Sequence, residues 1–191
     1  MKNKTPFILV ALLLFWVVIS SYNTNSKNFS LDNLLAKIFS EAKSADLVKL
    51  SGSQVLLNKE AAAAFERMRA AGELEKVLLK PRSGFRSISY QRRLMNLFTQ
   101  NYGKNYARKV LKEPGESEHH TGYAIDIDDG KNPACSLKPC FEQTTAYQWL
   151  AKNAGEYGFE LSYPRGNSEG IAFEPWHWRF VGTEESRKVL K

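Results

Sequence analysis

The sequence is poor in the residues that most often hold metal ions, with only two cysteines and three histidines among its 191 residues. A structural zinc site built on cysteine needs about four ligands and usually C-x-x-C spacing, which this pair does not have. The chain also has no internal repeat and no low-complexity segment. At this length, and with 43% hydrophobic residues, we expect one compact domain with an appendage rather than a disordered chain.

Long apolar runs are also scarce, and the one that stands out lies near the N-terminus, at residues 7–19. Lys2 and Lys4 precede it and a polar segment follows, which is the layout of a secretory signal. The run is shorter than the roughly 20 residues of a membrane span, and no clear A-x-A cleavage site follows it. We therefore predict that residues 1–24 form a signal peptide or an N-terminal membrane anchor. The remaining chain would then lie outside the cytoplasm, in the periplasm or on the outer face of the cytoplasmic membrane.

Export determines how the net charge and the cysteines are interpreted. The charge of +7 favours anionic surroundings such as lipid headgroups or cell-wall polymers, although a well-solvated surface explains it equally well. We expect no nucleic-acid partner, and we expect a monomer. Outside the cytoplasm, Cys135 and Cys140 of "CSLKPC" are most simply a small-loop disulfide, with two free thiols as the alternative in a reducing compartment.

The pattern of apolar residues predicts an α+β domain over residues 51–191, preceded by a linker with a stalk helix over residues 25–50. Helical spacing predicts helices over residues 30–43, 58–72, 89–102, 105–112 and 144–158. Asn58 is the expected start of the second helix and Gly72 its expected end. Extended segments are predicted over residues 75–87, 122–128, 159–164 and 171–182, the last two as an antiparallel pair.

The histidines are concentrated in two motifs that also contain carboxylates. In "SEHHTGYAID", His119 precedes a glycine turn and Asp126 follows on a strand, so both could reach one ion together with His177. Spacing alone also allows a solvated pair of loop histidines. In "EPWH", Glu174 lies three residues before His177, where a carboxylate could carry a proton without binding the metal. Glu-x-x-His is a weak pattern by itself.

Four motifs in order, "SGFRS", "SEHHTGYAIDI", "YGFELSYP" and "FEPWHWRFVG", resemble the VanY-type D-alanyl-D-alanine carboxypeptidases. The resemblance covers residues 58–182. Members of this family are zinc peptidases with the fold of the lysostaphin-like enzymes and the hedgehog signalling domain. The resemblance implies a small antiparallel sheet flanked by helices, with zinc bound on the sheet.

The same resemblance implies roles for individual residues. His119, Asp126 and His177 match the zinc ligands, Glu174 the catalytic base, and Arg86 the arginine that polarises the scissile carbonyl or holds the substrate carboxylate. Arg86 suits this task because a guanidinium grips a carboxylate with two parallel hydrogen bonds. The candidate substrate-binding residues besides Arg86 are Ser117, Gln91 and Trp176, although tryptophan is more often part of a core.

Two positions depart from the family pattern. His120 stands where relatives often carry glutamine, so it could compete for the metal or tune the pocket. Ser162 stands where relatives often carry a longer residue, which leaves substrate preference open.

The expected function is removal of the C-terminal D-alanine from peptidoglycan stem peptides in cell-wall metabolism. The alternatives are an L,D-carboxypeptidase, an endopeptidase acting on stem peptides, and a non-catalytic cell-wall binding module that keeps the metal. A serine peptidase is disfavoured, because "SEAK" matches S-x-x-K but no K-T-G follows. An iron oxygenase is disfavoured by export.

Overall fold

The central element of the domain is a four-stranded antiparallel sheet with the strand order β3-β4-β6-β5. These strands are β3 (Leu79–Ser83), β4 (Ala124–Asp129), β5 (Phe159–Leu161) and β6 (His177–Phe180). Two further strands, β1 (Leu47–Lys49) and β2 (Leu56–Asn58), form a separate antiparallel pair. The structure is a computed structural model that describes residues 37–191. It confirms the predicted α+β class and the antiparallel pairing of the last two strands.

The N-terminal prediction falls on residues 1–36, so the signal or anchor and most of the helix over 30–43 lie outside the described residues. Within residues 37–191, no helix has the length and apolar character needed to cross a membrane.

Strand β4 is buried along its whole length, and it pairs with β3 along one edge and with β6 along the other. Ile125 and Ile127 point into the hydrophobic core. Asp126 and Asp128 lie on the opposite face and are also buried. The predicted alternation of apolar and polar residues along β4 is therefore confirmed. The face that carries the aspartates, however, is buried rather than exposed to solvent.

Within the described residues, five α-helices accompany the sheets: α1 (Lys59–Leu74), α2 (Ile88–Tyr102), α3 (Lys104–Val110), α4 (Thr145–Asn153) and α5 (Glu184–Val189). Asn58 caps α1 as predicted, since its side chain accepts a hydrogen bond from the backbone N–H of Glu60. Gly72 was wrongly predicted as the end of α1. It lies inside the helix and is buried, and a Cβ at this position would be in ordinary van der Waals contact with Leu79.

Two other helix ends differ in a smaller way. Helix α4 ends at Asn153 and a 3₁₀ turn, Ala154–Tyr157, replaces the rest of the predicted helix. Helix α2 ends at Gly103 as predicted, with a positive φ of 83° that favours glycine, and α3 begins at the next residue.

Residues 37–50, predicted as part of a linker, pack against the domain, and no helix is present over the described residues 37–43. Phe39 and Leu50 belong to the hydrophobic core. The backbone N–H of Phe39 donates to the carbonyl of Gly115, and that of Ala42 donates to the carbonyl of His120. In a helix, these N–H groups would bond to carbonyls of the helix itself. In this non-helical segment they bond to carbonyls of the loop instead. The segment thus braces the loop that carries the histidine pair.

Candidate active site

Neighbouring strands bring the predicted metal ligands together. Asp126 on β4 and His177, the first residue of β6, are directly opposite each other in the strand register. Residues paired in this way have side chains about 5 Å apart, so the antiparallel sheet itself fixes this pair. His119 belongs to a short 3₁₀ helix, Glu118–Thr121, which turns at Gly122 into β4.

The ligand atoms of His119, Asp126 and His177 all lie within 4.8 Å of one another, and all three residues are buried. His177 Nδ1 lies 3.1 Å from Asp126 Oδ1. His119 Nε2 lies 3.4 Å from Asp126 Oδ2. Two imidazole nitrogens and one carboxylate oxygen are the ligands of a catalytic zinc site that keeps one position open.

The outward nitrogens of both histidines have hydrogen-bond acceptors, which fixes how the rings are oriented. His119 Nδ1 donates to the carbonyl oxygen of Gly84 at 2.7 Å, which leaves Nε2 free to bind a metal. His177 Nε2 donates to Glu118 Oε2 at 3.0 Å, which leaves Nδ1 for the metal. Metal-binding histidines characteristically have such an acceptor behind the ring. The residues present therefore fit a bound zinc ion.

Glu118 is a part of the site that the sequence did not reveal. It is only 2% exposed, and besides His177 its carboxylate accepts hydrogen bonds from Ser162 Oγ at 2.6 Å and Arg179 Nη1 at 2.8 Å. Its three partners lie 44 to 61 residues away in the chain, so no local spacing predicts the contacts. Its position directly before His119 was the only available signal.

Both departures from the family pattern have structural explanations that differ from the expected ones. Ser162 is buried behind His177 and donates to Glu118, so it supports the metal site rather than contacting a substrate. His120 is fully buried, with Nδ1 donating to the carbonyl of Arg86 at 2.6 Å and Nε2 accepting from the N–H of Gly115 at 3.1 Å. Because both ring nitrogens are occupied, His120 does not compete for the metal.

The electrostatics differ between the two histidine ligands. Burial lowers the pKa of His119 to about 4, although Asp126 acts in the opposite direction, so this ring is neutral and ready to bind a metal. Burial would also lower the pKa of His177, but its hydrogen bonds to Asp126 and Glu118 outweigh burial and raise the pKa to about 10. In the same way, burial would raise the pKa of Glu118, but His177 and Arg179 lower it to about 2.

A cavity of about 700 Å³ opens in front of the ligands. The other predicted site residues line it together with His119, Asp126 and His177, namely Arg86, Gln91, Ser117, Glu174 and Trp176. Glu174 Oε2 lies 3.9 Å from His177 Nδ1, next to the ligand atoms. Burial raises the pKa of the Glu174 carboxyl to about 7, where a group can both accept and donate a proton near neutral pH.

Arg86 lines the cavity next to Asp126 and is held in place by its neighbours. Its Nη1 donates to Gln91 Oε1 at 2.9 Å and its Nη2 donates to Ser83 Oγ at 3.2 Å. Gln91 is 1% exposed and donates to the carbonyl of Lys112 at 2.7 Å. The structure therefore shows Gln91 as a residue that orients Arg86, in addition to lining the cavity.

Tyr163 is a second cavity residue that the sequence did not single out. Its ring centroid lies 4.9 Å from that of His177, and the Lys112 ammonium lies 5.9 Å from the Tyr163 ring. Trp176 is partly buried at the cavity wall, whereas Trp178 lies in the core and donates to the carbonyl of Pro175.

The predicted disulfide is confirmed between Cys135 and Cys140, with the two Cα atoms 5.4 Å apart. Ser136 Oγ donates to Asp128 Oδ2 at 2.8 Å, which ties the loop to β4. Leu137 and Pro139 of this loop line the cavity. The disulfide loop is thus one wall of the cleft.

A buried His–Asp–His cluster, with a carboxylate and an arginine beside it in the same cleft, defines the site of a mononuclear metal-dependent hydrolase. Residues 54–183 match the sequence profile of the family described as VanY, D-alanyl-D-alanine carboxypeptidase, and the chain belongs to this family.

Individual relatives agree with this assignment. The chain is 36% identical over 136 residues to the putative carboxypeptidase YodJ of Bacillus subtilis (strain 168), with 70% of this chain and 49% of that protein covered. It is 35% identical over 146 residues to the bifunctional D-Ala-D-Ala dipeptidase and carboxypeptidase VanXYC of Enterococcus gallinarum, with 75% and 76% covered. The solved structure of the LdcB LD-carboxypeptidase is similar with a TM-score of 0.66 and 32% identity, over 78% of this chain and 73% of that one. The chain spans about half the length of YodJ.

Proposed function

We propose that this protein is a zinc-dependent carboxypeptidase that removes the C-terminal D-alanine from peptidoglycan stem peptides. The observation that carries the proposal is the shared cleft, in which the three ligand residues, the proton-carrying carboxylate Glu174 and the carboxylate-binding group Arg86 face one another. Family membership supports the same reaction class. A non-catalytic binding module would need neither Glu174 nor Arg86 in this position.

Each residue has a distinct role in the proposed reaction. Zinc held by His119, Asp126 and His177 would lower the pKa of a bound water and polarise the scissile carbonyl. Glu174, with its raised pKa, would take a proton from the attacking water and deliver it to the departing amine. Glu118 and Gly84 would keep the two imidazoles oriented throughout.

Arg86 gives the proposed reaction its exopeptidase character. Its guanidinium is mostly buried, with the side chain 14% exposed, and its closest acidic group is Asp126 at 3.8 Å. Because that distance is too long for a hydrogen bond, Asp126 does not occupy the guanidinium, and N–H donors of Arg86 remain available to a substrate carboxylate. The terminal carboxylate would then fix the bond to be cut as the last one in the peptide.

An L,D-carboxypeptidase is the second candidate, and it has a specific observation in its favour. LdcB, whose structure is described as an LD-carboxypeptidase, is similar to this chain over most of its length. VanXYC, at 35% identity, is described as acting on D-Ala-D-Ala. The two reactions differ in the configuration of the residue before the scissile bond, which the same machinery could accept.

Two defined peptides distinguish these candidates. Purified, zinc-loaded full-length protein is incubated with a stem pentapeptide ending in D-Ala-D-Ala and with the tetrapeptide ending in one D-Ala. Mass spectrometry should show loss of one alanine from the pentapeptide and an unchanged tetrapeptide. Cleavage of the tetrapeptide alone would assign the L,D activity instead. The matched control is Glu174→Gln, which keeps the shape of the side chain and should leave both peptides intact.

We propose further that the protein acts outside the cytoplasm and is held at the membrane by residues 1–24. The disulfide supports this location, because such bonds persist in oxidising compartments. Cell fractionation tests the anchor, since the protein should sediment with membranes and be released by detergent. Recovery in the soluble fraction with a shortened N-terminus would show a cleaved signal peptide instead.

A further inference from the structure

Three aromatic rings form a row at the edge of the cavity, across the junction of helices α2 and α3. The ring centroids of Phe98 and Tyr102 are 5.5 Å apart, and those of Tyr102 and Tyr106 are 5.4 Å apart. The three residues are spaced four apart along the chain, and the row crosses the junction at Gly103. We call Phe98, Tyr102 and Tyr106 the aromatic row.

The row borders the active-site cavity at both ends, and its middle ring is the most exposed. Tyr102 is 62% exposed and Tyr106 is 50% exposed. Phe98 and Tyr106 line the same cavity as the metal ligands. Exposed aromatic side chains grouped in this way mark an interaction site more often than they mark a packing defect.

The cavity is also larger than the proposed reaction needs. About 700 Å³ is enough to enclose a ligand of drug size, whereas the chemistry requires only the last two residues of a stem peptide. In peptidoglycan, the stem peptide is attached at its other end to a hexosamine of the glycan strand. A substrate that extends from the metal ligands along the cavity can therefore reach the aromatic row, where Phe98 and Tyr106 line the cavity.

Tyrosine is well suited to a sugar ligand. One face of a hexosamine presents C–H groups that pack against an aromatic ring, while its hydroxyl and amide groups stay hydrated or bind polar tips. The rings succeed one another at a spacing comparable with the length of one pyranose ring. A membrane surface is a less suitable partner, because two of the three rings, those of Phe98 and Tyr106, line the cavity.

We propose that the aromatic row is a glycan subsite, which binds the hexosamine that carries the stem peptide. This inference rests on the proposed function and adds a second recognition element to it. The protein would then prefer stem peptides that are still attached to the glycan over the same peptides in free form.

The test compares a disaccharide-linked pentapeptide with the free pentapeptide, using the full chain. The ratio of the two kcat/KM values should exceed one, and Tyr102→Ala and Tyr106→Ala should each lower the ratio by about 2- to 10-fold. Tyr102→Phe and Tyr106→Phe keep the rings and should keep most of the preference. Leu97→Ala is the matched control, since Leu97 is 52% exposed on the same helix and should leave the ratio unchanged.

Binding measurements separate this inference from the proposed function. Isothermal titration of the Glu174→Ala chain with both ligands should show the same preference without any turnover, and Tyr102→Ala in that background should reduce it. An unchanged preference in the alanine variants, or no preference in the parent protein, would overturn the glycan subsite even if both peptides are cleaved. If the disaccharide-linked peptide is bound preferentially but the zinc-loaded parent protein cleaves neither peptide, the glycan subsite is retained and the proposed carboxypeptidase activity is refuted. If the tyrosine variants sediment with anionic vesicles less readily than the parent protein while the ratio of kcat/KM values stays unchanged, the aromatic row binds the membrane instead.

Discussion

Removing the Glu118 carboxylate should damage both the stability of the protein and its metal site. Glu118→Ala leaves a buried imidazole nitrogen, a buried hydroxyl and the Arg179 guanidinium without their acceptor. The imidazole and the hydroxyl are then buried without this partner, at about 1–3 kcal/mol each, whereas Arg179 keeps Glu160 as its second carboxylate partner. Since His177 also loses the group that orients its ring, zinc affinity should fall about 10- to 100-fold.

Chemical denaturation of the metal-free protein and a competition titration with a zinc chelator measure the two effects separately. Ser162→Ala is the matched control, because it removes one hydrogen bond to the same carboxylate and keeps the charge. It should cost about 1.5–3 kcal/mol and leave zinc affinity nearly unchanged. A Glu118→Ala protein with parental stability and parental zinc affinity would refute the role given to this residue.

The other predictions concern catalysis, specificity, pH and the disulfide. Glu174→Ala should keep about one zinc per chain by elemental analysis and lose about 10²–10⁴-fold in kcat, whereas near-parental turnover would exclude it as the proton carrier. Arg86→Ala should largely erase the preference for a free C-terminal acid over its amide, a preference of about 2–5 kcal/mol, and equal cleavage of acid and amide by the parent protein would contradict the role of Arg86. Zinc must displace the proton that the raised pKa keeps on His177, so zinc affinity should rise about tenfold per pH unit from about pH 7 to 9, and a pH-independent affinity would contradict this. Reducing Cys135–Cys140 should raise KM more than it lowers kcat, because the loop forms a cavity wall away from the ligands; a change confined to kcat would argue against this.

Local patterns in the sequence predicted the strands at the centre of the site, and together with the family resemblance they singled out the three candidate ligands that the structure brings together. His119 and Asp126 are separated by one turn and part of a strand, and the period-2 pattern of β4 places Asp126 on one face. His177 was identified from the separate motif "EPWH". The antiparallel pairing of β6 with β4 places it opposite Asp126. A motif at the start of a strand thus carries information about the site because the sheet register is regular.

The sequence could not predict the features that depend on contacts between distant segments. The network around Glu118 joins three separate parts of the chain, namely Glu118, Ser162 and the β6 residues His177 and Arg179, and each of these residues could equally well lie at the surface. His120 looked available for metal binding because its two backbone partners are invisible in a sequence. Gly72 looked like a helix end because glycine is typical of that position, whereas the structure places it inside α1.

The described N-terminal segment shows the same limit. Apolar residues at helical spacing over residues 30–43 predicted a helix that was wrong over residues 37–43, where Phe39 enters the core from an extended chain. Tertiary burial of one aromatic side chain and two backbone hydrogen bonds to the histidine loop outweighed a modest local helix propensity.

The central claim, that this protein trims stem peptides from their C-terminal end, is tested most directly on intact peptidoglycan. Purified sacculi are treated with the zinc-loaded protein and with Glu174→Ala, and the muropeptides are then quantified by mass spectrometry. The proposed function predicts that pentapeptide stems decrease, tetrapeptide stems increase by the same amount, and crosslinked dimers stay constant, with no change in the Glu174→Ala sample. Loss of crosslinked dimers, or an unchanged muropeptide profile with the zinc-loaded protein, would contradict it.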